Sequence, residues 1–444
     1  MKEEFELSLD ILNDVLDQKT TFAEALRKKF QADVKIRPMR GLVAGLVGCE
    51  LRHQIYFEYI SRELKDFEPA DKRLLWLTLA NAFFYRRFDV AETRSYLLEK
   101  IGQEKYDQTA SFFELAETPE NYIPASVDRK SPLYLSLRFN VPEWMVKILN
   151  HFGGGATYQS LRKFARPAVT TLRVRTSVLP LKTVFENQDY SAAPVDGMVF
   201  YKGSTPLRRL PEFRKGHVFA EKLLTKKLLD DHAIAEPGEV LLYNGNADCS
   251  LELELIESYG DRIGMNIAVP NVDEKVEVTK LIKEKGLHNV NFFSAADPIS
   301  MEASISRPQA LVIASPNSTN FDLIPNSPDY LLHFDTQKMD EIIAGERATL
   351  EGAAKYVEEG GTLLYVVYTI SRKEGRQTIG EFLKAHPEFT LVSEKQHFPF
   401  EELETAAYVA ELRKGEKELT IPPALADLAA VAPASSGTAT ATAK

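Results

Sequence analysis

The stretch 240-VLLYNGNADCSLELELIESYGDRIGMNIAV-269 decides how this chain is read. An apolar run at 240–244 leads through a turn-rich segment into an amphipathic helical stretch, and a second apolar run follows at 263–269. Short buried strands alternating with helices are the mark of a sheet covered by helices on both faces. Downstream the alternation continues, with strands expected at 290–294, 310–315, 362–369, 389–394 and 406–412. Seven strands with intervening helices predict a doubly wound α/β sheet. The last two are joined without an obvious helix, so they should pair antiparallel.

Upstream the pattern differs. Residues 1–125 read as all-helical: Phe5, Leu9, Leu12, Val15 and Leu16 recur at helical spacing, and Thr20 and Thr21 precede the next helix, FAEALRKKF. The apolar runs at 40–47 and 74–84 lack strand alternation and read as buried helices. A turn-rich linker at 118–126 closes this block. Residues 131–235 are mixed. Pro142 sits at a helix start, Gly153-Gly-Gly reads as a flexible joint, and Thr171-Leu-Arg-Val-Arg-Thr reads as a strand. The α/β unit then covers 236–415, and 422–444 form an Ala/Pro/Ser/Thr-rich tail expected to be disordered.

Composition narrows the function. A chain of 444 residues suits two or three domains at roughly 150 residues each. Two distant cysteines, Cys49 and Cys249, exclude a disulfide framework and a multi-cysteine zinc site, and fit a reducing cytosol. The acidic N-terminus lacks an apolar signal core, and no run is long enough to cross a bilayer, so a cytoplasmic protein without membrane contact is expected. The eight histidines are scattered, and no metal site is expected. Net charge is −10, yet residues 162–227 carry 14 Lys/Arg against 5 Asp/Glu. A basic stretch inside an acidic chain suggests one face that meets phosphates.

Three landmarks carry a family resemblance. Leu135-Ser-Leu-Arg-Phe-Asn-Val-Pro-Glu-Trp-Met-Val resembles an R-x-S-x-P-x-W-L-V motif. Arg166-Pro followed by the 171–176 strand resembles R-P-P…L-R-V-N. Glu359-Gly-Gly-Thr-Leu-Leu-Tyr-Val-Val-Tyr-Thr resembles G-G-x-L-V-Y-x-T-C-S, with 407–414 as the closing strand. In this order and spacing they are similar to the bacterial 16S rRNA cytosine-5 methyltransferases of the RsmB/NOP (Sun/Fmu) type. The resemblance implies a class I methyltransferase sheet, Rossmann-like and seven-stranded, behind a NusB-like RNA-binding helical bundle. It also implies S-adenosylmethionine as methyl donor and ribosomal RNA as partner.

It implies as well a chemistry these residues do not supply. In the family a cysteine thiolate adds to cytosine C6 to make C5 nucleophilic. The matching position is Tyr368, and a phenol of pKa about 10 is a poorer nucleophile than a thiol of about 8.5. The second cysteine and the acid of the D-A-P-C motif fall at Asn317 and Ala314. The glycine loop A-P-G-G-K becomes Asn246-Ala-Asp-Cys-Ser, leaving Asn244, Gly245 and Asp248 as a degenerate cofactor set. The ribose-binding acid falls near Ala268, the third acidic position at Ala296 or Asp297, and the Q-D pair at Ala220-Glu221.

The expected function is an RNA-binding member of this family without cytosine-5 chemistry and with no cofactor, unless the pocket still takes S-adenosylmethionine. Two other readings stay open: an active methyltransferase using another nucleophile or an atom that needs no covalent step, and a protein-interaction scaffold. RNA contact is assigned to Arg173 and Arg175 on one strand face and to Arg208, Arg209, Arg214 and Lys215 in a loop, with Tyr201 and Phe213 near for stacking. A solvated face is the plainer reading of such a run. Cys249 reads as a small apolar residue and Cys49 as core. His53 reads as a surface residue within reach of RNA. Asn317, Ser318 and Asn320 line the would-be base pocket or simply form a loop.

Overall fold

The computed structural model describes residues 1–115, 122–246, 249–271, 276–295, 301–302, 305 and 307–415. Asp248, Ala296, Asp297, residues 118–121 of the linker and the tail 422–444 lie outside the described residues.

Helices from Lys2–Gln18 to Ala110–Leu115 pack around one apolar core that contains Phe5, Leu12 and Val15, with Leu9 and Leu16 alongside. Thr21 Oγ1 accepts the Glu24 N–H at 3.3 Å and caps the helix Phe22–Ala32. The 74–84 run is a buried helix, Pro69–Ala80, continued by a π turn at Asn81–Tyr85.

The mixed region divides between two cores. Helices Pro132–Phe139, Glu143–Asn150 and Gly154–Phe164 pack with Phe321, Ile324 and Ile370 of the α/β unit. The glycine run is therefore not a flexible joint: Gly153, at φ +87°, caps a helix that starts at Gly154, and buried Leu161 and Phe164 anchor it. The remainder is a four-stranded antiparallel sheet of β1 (Thr170–Val174), β2 (Tyr190–Ala192), β3 (Met198–Tyr201) and β4 (Val218–Ala220), in the order β2-β3-β1-β4. Leu172, Val174, Val199 and Val218 form its own core.

The α/β unit holds β5 (Glu239–Asn244), β6 (Gly264–Val269), β7 (Val290–Ser294), β8 (Gln309–Ser315), β9 (Val357–Val367), β10 (Phe389–His397) and β11 (Ala407–Lys414). Their order is β10-β11-β9-β8-β5-β6-β7, and β11 runs antiparallel between β9 and β10 while the remaining neighbours are parallel. This is the class I methyltransferase sheet. Successive residues feed opposite faces: Val240, Leu242, Ile313 and Leu364 one core, Leu241, Val312, Ala314 and Leu363 the other. Covered on both faces, the central strands read as near-continuous apolar runs. Strand β9 stops at Val367 rather than 369, because the Tyr368 N–H donates to Ser318 Oγ at 3.2 Å and its carbonyl accepts from Phe321 N at 3.0 Å. Among the described residues no helix is long and apolar enough to cross a membrane.

Specific polar contacts dock the pieces. Asn140 reaches the helical block, donating to Leu51 O at 2.8 Å and accepting from Ile55 N at 2.8 Å. Asp329 accepts from Phe22 N, and Arg52 donates to Pro325 O at 2.9 Å. The small sheet docks on the helix Ser250–Tyr259 through Arg173 Nε to Glu254 Oε2 at 3.1 Å and Arg175 Nε to Glu257 Oε1 at 2.7 Å.

Glu254 is fully buried and Arg173 nearly so. Removing Arg173 leaves buried Glu254 with the more distant Lys226, 3.9 Å away, and an incompletely paired buried charge is costly, whereas replacing both partners with apolar residues is close to neutral. Arg173→Ala should lower unfolding free energy by about 3 kcal/mol, read by urea denaturation. The double replacement Arg173→Met with Glu254→Leu should recover most of that loss.

Candidate functional site

The site predicted by the sheet lies at the carboxyl ends of β5, β6, β8 and β9, where an open α/β sheet binds its ligands. At the end of β5 the polar side chains bond one another. Asn244 Nδ2 donates to both carboxylate oxygens of Glu252 at 2.9 Å, and Asn244 Oδ1 accepts from Asn246 N at 3.0 Å. Asn246 Nδ2 donates to Ser315 Oγ at 2.9 Å and the Gly245 N–H to Ser315 O at 2.8 Å, so the β5 loop is laced to the end of β8. The two backbones pack so closely that a Cβ on Gly245 would collide with the Asn317 N–H. The surviving glycine thus serves backbone packing.

At the end of β6 stand Ala268, Val269, Pro270 and Asn271, with no carboxylate for ribose hydroxyls among the described residues. Of the described positions where the family's motifs place cofactor-binding groups, Gly245 packs against the Asn317 backbone and the end of β6 carries the buried apolar Ala268.

The positions that carry the family's chemistry are equally occupied. Tyr368 is buried, and its ring packs with Leu364 and Val366 in a sheet core. Lys222 Nζ lies 3.5 Å from the ring centroid and 3.0 Å from Asp322 Oδ2, itself mostly buried. An ammonium on an aromatic face, closed by a carboxylate, is a stable desolvated stack. Ala314 is a core residue of β8. Asn317 is exposed but accepts from Asn320 Nδ2 at 3.1 Å, and Ser318 bonds Tyr368 N and Asn320 Oδ1, so this trio shapes its own loop.

Beneath that loop lies a cluster the sequence reading did not find. Glu374 accepts from Thr319 N at 2.8 Å, Thr319 Oγ1 at 2.9 Å and Thr369 Oγ1 at 2.5 Å. Burial raises its carboxyl above the usual range despite these donors. Nearby Glu346 is pushed up to about 10, first by burial and then by Glu374. Glu221, at the Q-D position, is pushed to about 10 by burial and by Glu254 beside it.

The basic residues separate into two kinds. Arg173 and Arg175 share one face, as expected, but that face meets Glu254 and Glu257 and not solvent. Arg208, Arg209, Arg214 and Lys215 are exposed on the turns Leu207–Arg209 and Pro211–Arg214, without an acidic partner among the described residues. Leu207, Leu210 and Phe213 tuck these turns onto the small sheet's core. Tyr201 is buried there and donates to Thr205 O at 2.8 Å, which removes it as a stacking platform.

His53 is half-buried, with its ring engaged on the protein. It stacks on Phe84 at 3.7 Å, bonds Cys49 O at 2.8 Å, and burial lowers its pKa to about 4. Burial likewise pushes the Cys49 thiol to about 12, so it stays protonated. Cys249, which is in no disulfide among the described residues, occupies the N-cap of Ser250–Tyr259. No group of three potential metal ligands occurs among the described residues.

No family model matches the chain. Over 107 residues, 24% of its length, it is 27% identical to ribosomal RNA small subunit methyltransferase F of Cronobacter sakazakii, and the match spans 22% of that relative. The crystal structure of PH0851 superposes with a TM-score of 0.69 at 16% identity, covering 93% of this chain and 99% of its own. A methyltransferase homolog protein from Pyrococcus horikoshii gives a TM-score of 0.53 at 13% identity, over 64% of this chain and 99% of its own. NSun6 from the same organism gives 0.52 at 13%, over 62% and 99%. At these identities the likeness concerns the fold. With PH0851 it extends over the helical block as well as the sheet.

The carboxyl at Glu221 yields a pH signature. A raised folded-state value means the native protein holds a proton that the unfolded chain releases above its model value of 4.5. Stability from this group is therefore lost as pH rises from about 4.5 towards 10. Glu221→Gln should remove up to about 1.4 kcal/mol per pH unit of that slope. Urea unfolding of both proteins between pH 6 and 9 should show curves that diverge upward in favour of the glutamine variant, and parallel curves would refute a neutral Glu221.

Proposed function

We propose that this protein is an RNA-binding relative of the ribosomal RNA methyltransferases that does not methylate cytosine C5. The observation that carries the reading is the Lys222–Tyr368 stack, buried where the family needs a thiolate open to its substrate. A cysteine nucleophile must reach C6 of a base flipped into the site. Here the position is part of the hydrophobic core, and the acid and second cysteine are replaced by Ala314 and Asn317.

RNA, ribosomal in the proposed setting, is favoured as partner on two grounds. The matched segment relates the chain to a protein named for the small-subunit ribosomal RNA. The exposed Arg208, Arg209, Arg214 and Lys215 form a projecting cationic patch on a chain that is otherwise strongly acidic. Unneutralised guanidinium and ammonium groups release counterions when they meet phosphates.

Two measurements test this. Titration calorimetry with S-adenosylmethionine should give no heat up to about millimolar cofactor, weaker than roughly −4 kcal/mol. Micromolar binding would refute the closed-pocket reading and direct attention to methyl transfer at another atom. Replacing Arg208, Arg209, Arg214 and Lys215 together by Ala should lower the slope of log affinity against log salt by roughly two to three for single-stranded RNA. An unchanged slope would favour a protein partner over RNA.

A further inference from the structure

We infer that a second RNA site lies where the end of the helical block meets the helices of 132–164, built to hold single-stranded RNA by its phosphates and one unstacked base. It rests on the RNA-binding reading and extends it to residues outside the 208–215 patch. The observation is a cavity of about 700 Å³ between the segment 122–127 and the helices Pro132–Phe139 and Gly154–Phe164. That volume lies in the range of small-ligand sites.

Its chemistry is one-sided. Four arginines line it, Arg129, Arg138, Arg162 and Arg166, and among the described residues no carboxylate does. All four are exposed, and none has an acidic partner among the described residues. This contrasts with Arg173 and Arg175, which the same fold pairs with glutamates. Four guanidiniums drawn from two helices and the turn before them, left unneutralised in a chain of net charge −10, call for a polyanion.

The aromatic groups narrow the polyanion to nucleic acid. Tyr134 and Tyr158 also line the cavity. Tyr158 is 43% exposed, unusual for so large a ring, and is held edge-on against buried Phe139 at 5.4 Å and 84°. The contact fixes its orientation and leaves ring surface free for a base. Arg138 donates to Tyr134 Oη at 2.9 Å, which orients that guanidinium ahead of any ligand. Stacking rings interleaved with cations are how proteins grip unpaired strands, whereas a duplex keeps its bases stacked and out of reach. Charge alone would bind any phosphate, so the exposed ring selects the single strand.

The test uses the full chain and a short fluorescein-labelled oligouridine, followed by anisotropy. The triple variant Arg129→Ala, Arg162→Ala, Arg166→Ala should bind at least about tenfold more weakly. Its melting temperature should match the wild type, because all three side chains are exposed. Tyr158→Ala should lose about tenfold and Tyr158→Phe should retain affinity, since the phenyl face suffices for stacking. A duplex of the same length should bind the wild type more weakly than the single strand. If the wild type binds oligouridine and the triple variant binds equally well, this site is refuted while the RNA reading stands. If the wild type binds no RNA at all, both fall. Equal binding of duplex and single strand, or a Tyr158→Ala variant that binds normally, overturns the single-strand assignment.

Discussion

A buried carboxyl group under a loop holds this molecule together. Glu374, just beyond β9, takes three hydrogen bonds from Thr319 and Thr369 and so ties the segment after β8 to the segment after β9. Each bond is worth only about 1 kcal/mol net, but leaving such donors unmet inside the protein costs more than making them gains. The clasp therefore fixes the path of the chain from 316 onward. Further along that path, Asp322 faces Lys222, and Pro325, Asp329 and His333 meet the helical block. Part of the docking of the N-terminal bundle lies on this path, beside the bonds Asn140 makes to Leu51 and Ile55.

The same constraint explains how polar groups are allotted. At the carboxyl ends of β5 and β8, Asn244, Asn246, Glu252 and Ser315 bond to one another. A fold can afford such a knot only where no ligand has to displace it, since every bond to a ligand would be exchanged for one already made. Away from these strand ends the reverse holds. Arginines 208, 209 and 214 and those around the 122–166 cavity have no carboxylate to meet among the described residues. The proposed RNA contacts accordingly rest on these open cationic surfaces.

The sheet was legible because its strands are long, apolar and buried on both faces, so composition alone marks them. The small sheet was not: β2 and β4 have three residues each, too few to show alternation. Tyr368, Asn317 and Ala314 could be located from sequence because the neighbouring motif residues anchor them, but the cation over the Tyr368 ring comes from Lys222, distant in the chain. Arg173 and Arg175 looked like an RNA face because alternation puts them on one side of a strand. Nothing local says what covers that side. A signal existed in Glu254 and Glu257, three apart on one helix and so spaced to meet two arginines two apart on a strand. His53 and the glycine run at 153 misled for a related reason: burial and tertiary anchoring overrode what the residue types suggest in isolation.

The proposed loss of chemistry also bears on how firmly the site is shut. If only the nucleophile had changed, a cysteine at 368 would suffice to reopen it. But Tyr368 now fills core volume beside Leu364 and Val366, and deleting a buried aromatic costs about 3–5 kcal/mol through lost burial and the cavity left behind. Lys222 would lose the ring it covers, and Gly245 would still lie against Asn317. Each substituted position has acquired a structural partner, so reversal at any one of them destabilises the fold before it restores a reaction. On this reading the sheet persists as a platform for the helices and the small basic sheet, and the packing that once surrounded a cofactor now stabilises the platform itself.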